Sequence, residues 1–383
     1  MAIPEQFWYS KIMALEEIRK ARLKKLENLR KAGIDPYPAE SFRSHKISEI
    51  LENFDALSES PEKPTLAGRL MSFREHGGST FADFKDETGS IQLFFKKDVL
   101  GENYKLFLEN FDIGDFVEAT GPLIRTKVGE PTLEVEGFRL LAKSLLPLPE
   151  KWHGLQDVEE RFRKRYLDFL FNKEAKDKFG VRAKVIQEIR KFMDSEGFME
   201  VETPVLQVLA GGATARPFKT KINALDMDIY LRIAPELFLK RLLIAGFEKV
   251  YEVGKNFRNE GIDRDHNPEF TEVEFYAAYK DYQWLMEFTE KMFESVVGNI
   301  FGKTKITYKD KEIDFKRPYK RVEFNSLFRE YSGLDYESSS EKDLVGKAKE
   351  LDIVVEKAMT KGNIADEIYK KVARSNIIQP AFV

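Results

Sequence analysis

Cysteine is absent from the 383-residue chain, which excludes disulfides, thiolate nucleophiles and Cys-ligated zinc and fits a reducing compartment. Long hydrophobic runs are missing as well. The longest apolar stretches, such as 242–247, fall far short of a bilayer span, and the N-terminus lacks the continuous apolar core of a signal peptide. A cytoplasmic location with no membrane partner is therefore expected. There is no excess of positive charge: the formal net charge is −3, so any contact with nucleic acid must come from local patches. No internal repeat or low-complexity tract is visible. What remains is an ordinary globular balance, 42% hydrophobic and 33% charged, which excludes a disordered chain. The length exceeds the usual size of one hydrophobic core, so at least two domains are expected.

Near the N-terminus, Ile12, Leu15, Ile18, Leu23, Leu26 and Leu29 fall on one helical face. Arg19, Lys20, Arg22, Lys24, Lys25, Arg30 and Lys31 fill much of the remainder, giving a basic amphipathic helix that Gly33, Pro36 and Pro38 terminate. Its basic side is either a solvated surface or a phosphate contact. From residue 65 the period changes to two, in short runs at 65–73, 79–85, 90–95, 116–124 and 132–140, with a helical pattern at 99–111. Three strands, a helix and two strands suggest an OB-fold barrel, whose strand face binds single-stranded nucleic acid. Phe81 and Gln92 lie on adjacent predicted strands with Arg74 nearby, a set suited to stacking on and hydrogen bonding to bases, although Phe81 could equally be core.

Pro147 and Pro149 mark an interdomain linker at 145–154. Beyond it, helical patterns at 158–171 and 175–196 precede strands at 198–202, 229–233, 249–253 and 269–276, an α+β mixture with a largely antiparallel sheet. The most informative stretch is 256–279, in which a strand ending at Phe257-Arg258 is followed by a polar loop and a second strand. Arg258 has a fixed fork of donors for a phosphate, His266 can add another donor, and Phe270 offers a ring face to a base. Each alone would be unremarkable, but together they suit a nucleoside triphosphate.

The strings Phe257-Arg258-Asn259-Glu260-Gly261 and His266-Asn267-Pro268-Glu269-Phe270-Thr271 resemble motif 2 of the class II aminoacyl-tRNA synthetases in its lysyl-specific form. Gly197-Phe198-Met199-Glu200-Val201-Glu202-Thr203-Pro204 resembles motif 1. The stretch from Gly211 to Phe218 and Ile233-Ala234-Pro235-Glu236-Leu237 are similar to the lysine-binding segments of lysyl-tRNA synthetases, and Arg165-Tyr166-Leu167-Asp168 extends the likeness. The resemblance implies an α+β protein: an N-terminal OB-fold β-barrel followed by a class II synthetase antiparallel-sheet catalytic domain flanked by helices. It implies four regions: an N-terminal helix and extension (1–60), an anticodon-binding barrel (61–145), a linker (146–157) and a catalytic domain (158–383).

By the same resemblance the chain would activate lysine with ATP and transfer it to tRNA(Lys). Arg258 would grip the α-phosphate and the lysine carboxylate, His266 the outer phosphates, and Phe270 would stack on adenine, with Glu260 and Asn267 completing the ATP site. Glu236 would accept the α-ammonium beside Gly212, and Glu274 with Tyr276 the ε-ammonium. A desolvated carboxylate left without its cation is costly, so neutral isosteres of lysine should be rejected. Arg74, Phe81 and Gln92 match anticodon-reading positions, and Pro204 would centre a homodimer interface. Mg²⁺ is expected to bridge the phosphates, its protein ligands unassigned. Asp263-Arg264-Asp265 is an acceptor-stem candidate.

The third class II motif, a Gly-rich segment with its arginine, is not found before Val383. On that reading the chain would be C-terminally incomplete, with weak or no charging activity expected. Two other readings stand beside the main one. One is a lysine ligase acting on a translation factor, which the barrel at 65–141 argues against. The other is a non-catalytic RNA-binding protein, which has no physical need of both an ATP and a lysine site.

Overall fold

The computed structural model describes residues 5–149, 157–263 and 266–383; most of the linker read from sequence, and Arg264 and Asp265, lie outside the described residues. The chain divides into two compact units, residues 1–173 and 174–383.

In the first unit the N-terminal helix runs Glu5–Lys31. Its buried stripe differs from the expected one: Leu26 and Leu29 are buried, but Leu15 and Ile18 are exposed and Arg22 is buried in their place. The Arg22 guanidinium donates to the carbonyls of Ser144, Leu146 and Ile113, and Lys25 donates to Asp112 at 2.7 Å. Two of the basic residues read as solvated or phosphate-contacting thus tie down loops of the barrel. A guanidinium can be buried when carbonyls take its donors, a pairing that periodicity does not reveal.

The barrel consists of β1 (Thr65–His76), β2 (Ser79–Lys85), β3 (Ser90–Lys96), β4 (Phe116–Thr120), β5 (Leu123–Arg125), β6 (Pro131–Val135) and β7 (Gly137–Ala142), in the order β5-β6-β3-β2-β1-β4-β7. Strict alternation sends Thr80, Ala82 and Phe84 of β2 and Ile91, Leu93 and Phe95 of β3 inward. The helix Glu102–Asn110 caps this core, Phe107 stacking on Phe95 at 4.1 Å. Each of the last two expected strands is divided in two. Pro122 has no N–H for a ladder and separates β4 from β5, while Glu136 turns its N–H to Thr120 O and separates β6 from β7. Gly121 sits where two segments cross, and a Cβ there would lie 1.8 Å from the backbone oxygen of Glu134. Gly121→Ala is accordingly expected to destabilise the barrel by about 3 kcal/mol, at the upper end of overpacking costs. A lowered urea midpoint measures it, and an unchanged midpoint would show that the crossing can relax.

The expected helix at 158–171 is interrupted at Lys164, giving Val158–Arg163 and Arg165–Phe171. The second unit continues the helix Lys173–Ser195 into β8 (Met199–Glu200), β9 (Leu206–Gln207), β10 (Lys219–Ile222), β11 (Met227–Leu231), β12 (Lys249–Phe257) and β13 (Glu269–Ala277). β12 pairs antiparallel with β13 over nine residues and parallel with β8. Behind this sheet, Phe192, Met193, Phe198, Tyr251, Phe288, Met292 and Val296 form the core, with Val253, Val273 and Phe275 packed against it. Helices Phe324–Ser332, Glu341–Glu350 and Lys361–Val372 surround a separate core of Phe328, Leu344, Ala348, Ile364 and Ile368.

Candidate active site

β13 shows why a strand can carry a site. Its odd-numbered residues Thr271, Val273, Phe275 and Ala277 face the helices, and Val273, Phe275 and Ala277 pack on the core. Its even-numbered residues Phe270, Glu272, Glu274 and Tyr276 must therefore share the opposite face. Register places Asn256 opposite Phe270, Gly254 opposite Glu272 and Glu252 opposite Glu274. Directly paired residues of antiparallel strands point to the same side, so one sheet surface gathers an amide, an aromatic ring and three carboxylates.

Arg258 follows β12 on this surface. Its guanidinium carbon lies 4.9 Å from the centre of the Phe270 ring, Nη2 is 4.0 Å from Glu272 Oε2, and Nε is 3.5 Å from the carbonyl of Ile233. Asn256 donates from Nδ2 to Glu272 Oε2. The segment after β11 joins the same surface: Phe257 N donates to Arg232 O, and the helix Glu236–Ile244 starts three residues beyond Ile233. Gly212 packs directly on Glu236, at φ +90°, a region that L side chains rarely adopt. A Cβ there would come within 2.8 Å of the Glu236 Cβ. Asn259 N donates to Arg216 O at 2.7 Å and Glu260 Oε1 accepts from Arg216 N at 3.3 Å, so the 211–218 segment is laced to the loop after β12.

On the same face, over Gly254, lies Arg232, 2% exposed. It pairs with Glu252 and donates to Lys255 O at 2.9 Å and to the hydroxyl of Thr203 at 3.1 Å. Gly254 leaves it room, since a Cβ there would meet Nη2 at 2.2 Å.

The charges do not balance at one position. Arg232 neutralises Glu252, Lys240 holds Glu236 at 2.5 Å, and Glu272 has Asn256 and Arg258. Among the described residues Glu274 has only the Tyr276 hydroxyl, which donates to Oε1 at 2.8 Å, and its buried Oε2 has no hydrogen-bond partner. Burial pushes the Glu274 carboxyl upward, the Tyr276 hydrogen bond opposes this, and the charges of Glu272, Glu236 and Glu252 add to the rise. Burial and the Glu274 charge likewise drive the Tyr276 phenol far above its ordinary range. A buried carboxylate oxygen without a donor, among further carboxylates, is a receptor for a cation.

The structure thus gathers Arg258, Phe270, Glu236, Gly212, Glu274 and Tyr276 on one surface. His266 stands apart, 73% exposed in the loop between the strands, with Nδ1 2.8 Å from Asp263 Oδ2, and Asn267 beside it is exposed. No hydrogen bond or ion pair among the described residues links either side chain to the sheet. Pro204 is exposed and accepts a hydrogen bond from Gln207, and Val205, Leu206, Val208 and Leu209 near it are exposed apolar side chains.

On the barrel, Arg74 pairs with Phe81 and Phe81 with Phe94, all on the outward side. Phe81 stacks on Phe94 at 4.3 Å, and Lys96 Nζ lies 5.0 Å from the Phe94 ring centre. Gln92 accepts from Thr132 and donates to Glu130.

Residues 157–362 match the family model for class II tRNA synthetases (D, K and N), and residues 65–141 match an OB-fold nucleic acid binding domain. The chain is 48% identical over 373 residues to a lysine–tRNA ligase of Carboxydothermus hydrogenoformans, covering 96% of this chain and 75% of that protein. It is 48% identical to one from Clostridium novyi, covering 95% and 72%, and 51% identical to one from Aquifex aeolicus, covering 88% and 57%. The chain belongs to the lysine–tRNA ligase family. As a member of this class II family it is a ligase that uses ATP, with an OB-fold barrel followed by an α+β catalytic domain.

Arg232, Glu252, Asn256, Glu272 and Phe94 also belong to these surfaces, beyond the residues expected from the sequence. The alternation Phe270-x-Glu272-x-Glu274-x-Tyr276 is a visible signal for Glu272, and the run Gln92-x-Phe94-x-Lys96 for Phe94. For Arg232 there was none, because an arginine among apolar residues reads as a surface charge until its partner is known.

Proposed function

We propose that this chain activates lysine with ATP and transfers the lysyl group to the terminal ribose of tRNA(Lys). The observation that carries the reading is the buried, donor-less Oε2 of Glu274, which an ε-ammonium would satisfy. In this reading Glu236, set against Gly212, takes the α-ammonium, and Arg258 bridges the lysine carboxylate and the α-phosphate. The carboxylate oxygen bonds to the α-phosphorus as the bond to pyrophosphate breaks, and Arg258 offsets the charge that builds there. The ribose hydroxyl then attacks the lysyl carbonyl, AMP leaves and the hydroxyl proton is lost to solvent. Positioning and electrostatics would supply the rate, without a covalent enzyme intermediate. Phe270 offers adenine a ring face. His266, Asn267 and Glu260 would reach the outer part of ATP from the loop after β12, a role for which the exposure of His266 leaves room.

Mg²⁺ belongs to the reading as a companion of the triphosphate. Among the described residues no group of three acidic or imidazole side chains is disposed to hold a metal ion. Dimerisation through the segment around Pro204 is supported by its exposed apolar neighbours, and a cytoplasmic site of action by the absence of cysteine. No helix among the described residues is long and apolar enough to cross a membrane.

On the barrel, Arg74, Phe81 and Gln92 would read the anticodon, with Phe94 backing the Phe81 ring. The test is lysine-dependent ATP–pyrophosphate exchange, followed by charging of tRNA(Lys) with labelled lysine. Exchange that does not depend on lysine would remove the proposed pocket. Phe81→Ala is expected to raise the KM for tRNA about tenfold, within the ~1–3 kcal/mol span of a stacked base, with exchange unchanged. A loss of exchange in that variant would contradict an anticodon role.

A further inference from the structure

In the second unit, residues 303–321 carry eight Lys and Arg against three Asp and Glu, a net +5 within a chain whose formal charge is −3. They form a hairpin of β14 (Lys305–Tyr308) and β15 (Lys311–Asp314) that pairs with no other strand among the described residues. The hairpin is anchored firmly. Gln379 donates to Glu312 O at 2.8 Å and accepts from Asp314 N at 3.0 Å, Arg317 pairs with Glu294 at 2.8 Å, and Tyr319 N donates to the buried Glu290 at 3.1 Å.

The basic residues divide into two sets. Lys305, Arg317 and Arg321 are committed to Glu312 and Asp314, to Glu294 and to Glu290. Lys303, Lys309, Lys311, Lys316 and Lys320 are exposed and make no ion pair among the described residues. Tyr308, 59% exposed, stands directly opposite Lys311, and Lys309 Nζ lies 5.5 Å from its ring centre. Thr304 O accepts from Phe315 N, which extends the ladder and sets Lys303 and Lys316 at the open end, on the face opposite Tyr308 and Lys311. From tip to base the hairpin runs roughly 17 Å, at about 3.4 Å per residue.

We propose that this hairpin is a docking surface for the phosphodiester backbone of tRNA, separate from the barrel. This rests on the reading above that tRNA is the acceptor. A hairpin that presents unpaired ammonium groups at its tip and from both faces, with one exposed ring, complements a polyanion, and the ring offers a stacking partner to a ribose or base. The free cations are all lysines, point charges without the bidentate fork that reads a base edge, so the contact strengthens binding without selecting sequence.

The test is equilibrium binding of tRNA(Lys) and of a non-cognate tRNA across a salt series, comparing the unmodified protein with the triple variant K303Q/K309Q/K311Q. Each lost phosphate contact lowers the slope of log K against log salt by about 1, so the variant should bind both tRNAs more weakly, with a slope shallower by about 3. Lysine-dependent pyrophosphate exchange should be unchanged. Unaltered affinity and slope overturn the proposal, as does a parallel loss of exchange, which would assign the lysines to the chemical site. If the unmodified protein binds no tRNA, the acceptor reading itself fails and the hairpin proposal with it, a result distinguishable from failure of the variant alone.

Discussion

Glu274→Gln is expected to lower lysine-dependent pyrophosphate exchange by about 30-fold or more while leaving the protein at least as stable. The activity loss follows from the pocket. A charge-assisted hydrogen bond from an ammonium to a buried carboxylate contributes on the order of 2 kcal/mol, and a neutral amide turns one of its own donors towards the same cation. The stability gain follows from the direction in which the Glu274 carboxyl is displaced. Burial first, then the charges of Glu272, Glu236 and Glu252, raise it above its ordinary value of 4.5 against the opposing Tyr276 hydrogen bond. The fold therefore favours the neutral acid. The stability Glu274 contributes is full below the ordinary glutamate range and is lost as pH rises through the displaced value. Glutamine does not ionise, so the stability difference between E274Q and the parent should widen in favour of E274Q from about pH 4.5 towards neutrality. Thermal melts at a series of pH values, read beside exchange kinetics, give both numbers. A variant that keeps its lysine KM and kcat removes Glu274 from the pocket; one that is destabilised at neutral pH contradicts the electrostatic account.

The second large effect is expected at Arg232. Its guanidinium is enclosed with Glu252 over Gly254, and Thr203 donates its hydroxyl to Glu252 Oε2 at 2.7 Å. Arg232→Met leaves a buried carboxylate with only Thr203 as donor, which should cost about 3–5 kcal/mol in denaturant unfolding. Adding Glu252→Gln removes the stranded charge and should restore most of the loss, because the penalty lies in the unpaired ion rather than in the pair. If R232M/E252Q is as unstable as R232M alone, packing rather than charge burial governs the site. The position matters for lysine too, since Glu252 stands directly across the strands from Glu274 and Arg232 also fastens Thr203, the residue before Pro204.

How much of this was legible in the letters differs from residue to residue. Phe270, Glu274 and Tyr276 could be assigned to one surface, because alternation in a strand needs no knowledge of its neighbours. The barrel strands were legible for the same reason, apart from the interruptions at Pro122 and Glu136. The burial of Arg22 was not legible: a basic residue inside a basic helix carries no mark of the three carbonyls, of Ile113, Ser144 and Leu146, that enclose it. Glu252 and Asn256 acquire meaning only through register, which sets them opposite Glu274 and Phe270.

The order of residue types along the chain was enough to specify an OB barrel, a strand with an acidic polar face, the segments that belong to a lysine–tRNA ligase, and the side chains able to bind a cation or a phosphate. These follow from local periodicity and from the chemistry of single groups. The tertiary structure alone decided which of four glutamates keeps a buried, unpartnered oxygen, which arginine is buried among them, and that His266 stands on an exposed loop away from the sheet. Those outcomes depend on strand register and on distances between groups far apart in sequence, because a carboxylate becomes a cation receptor only when its neighbours exclude water and leave it no other donor.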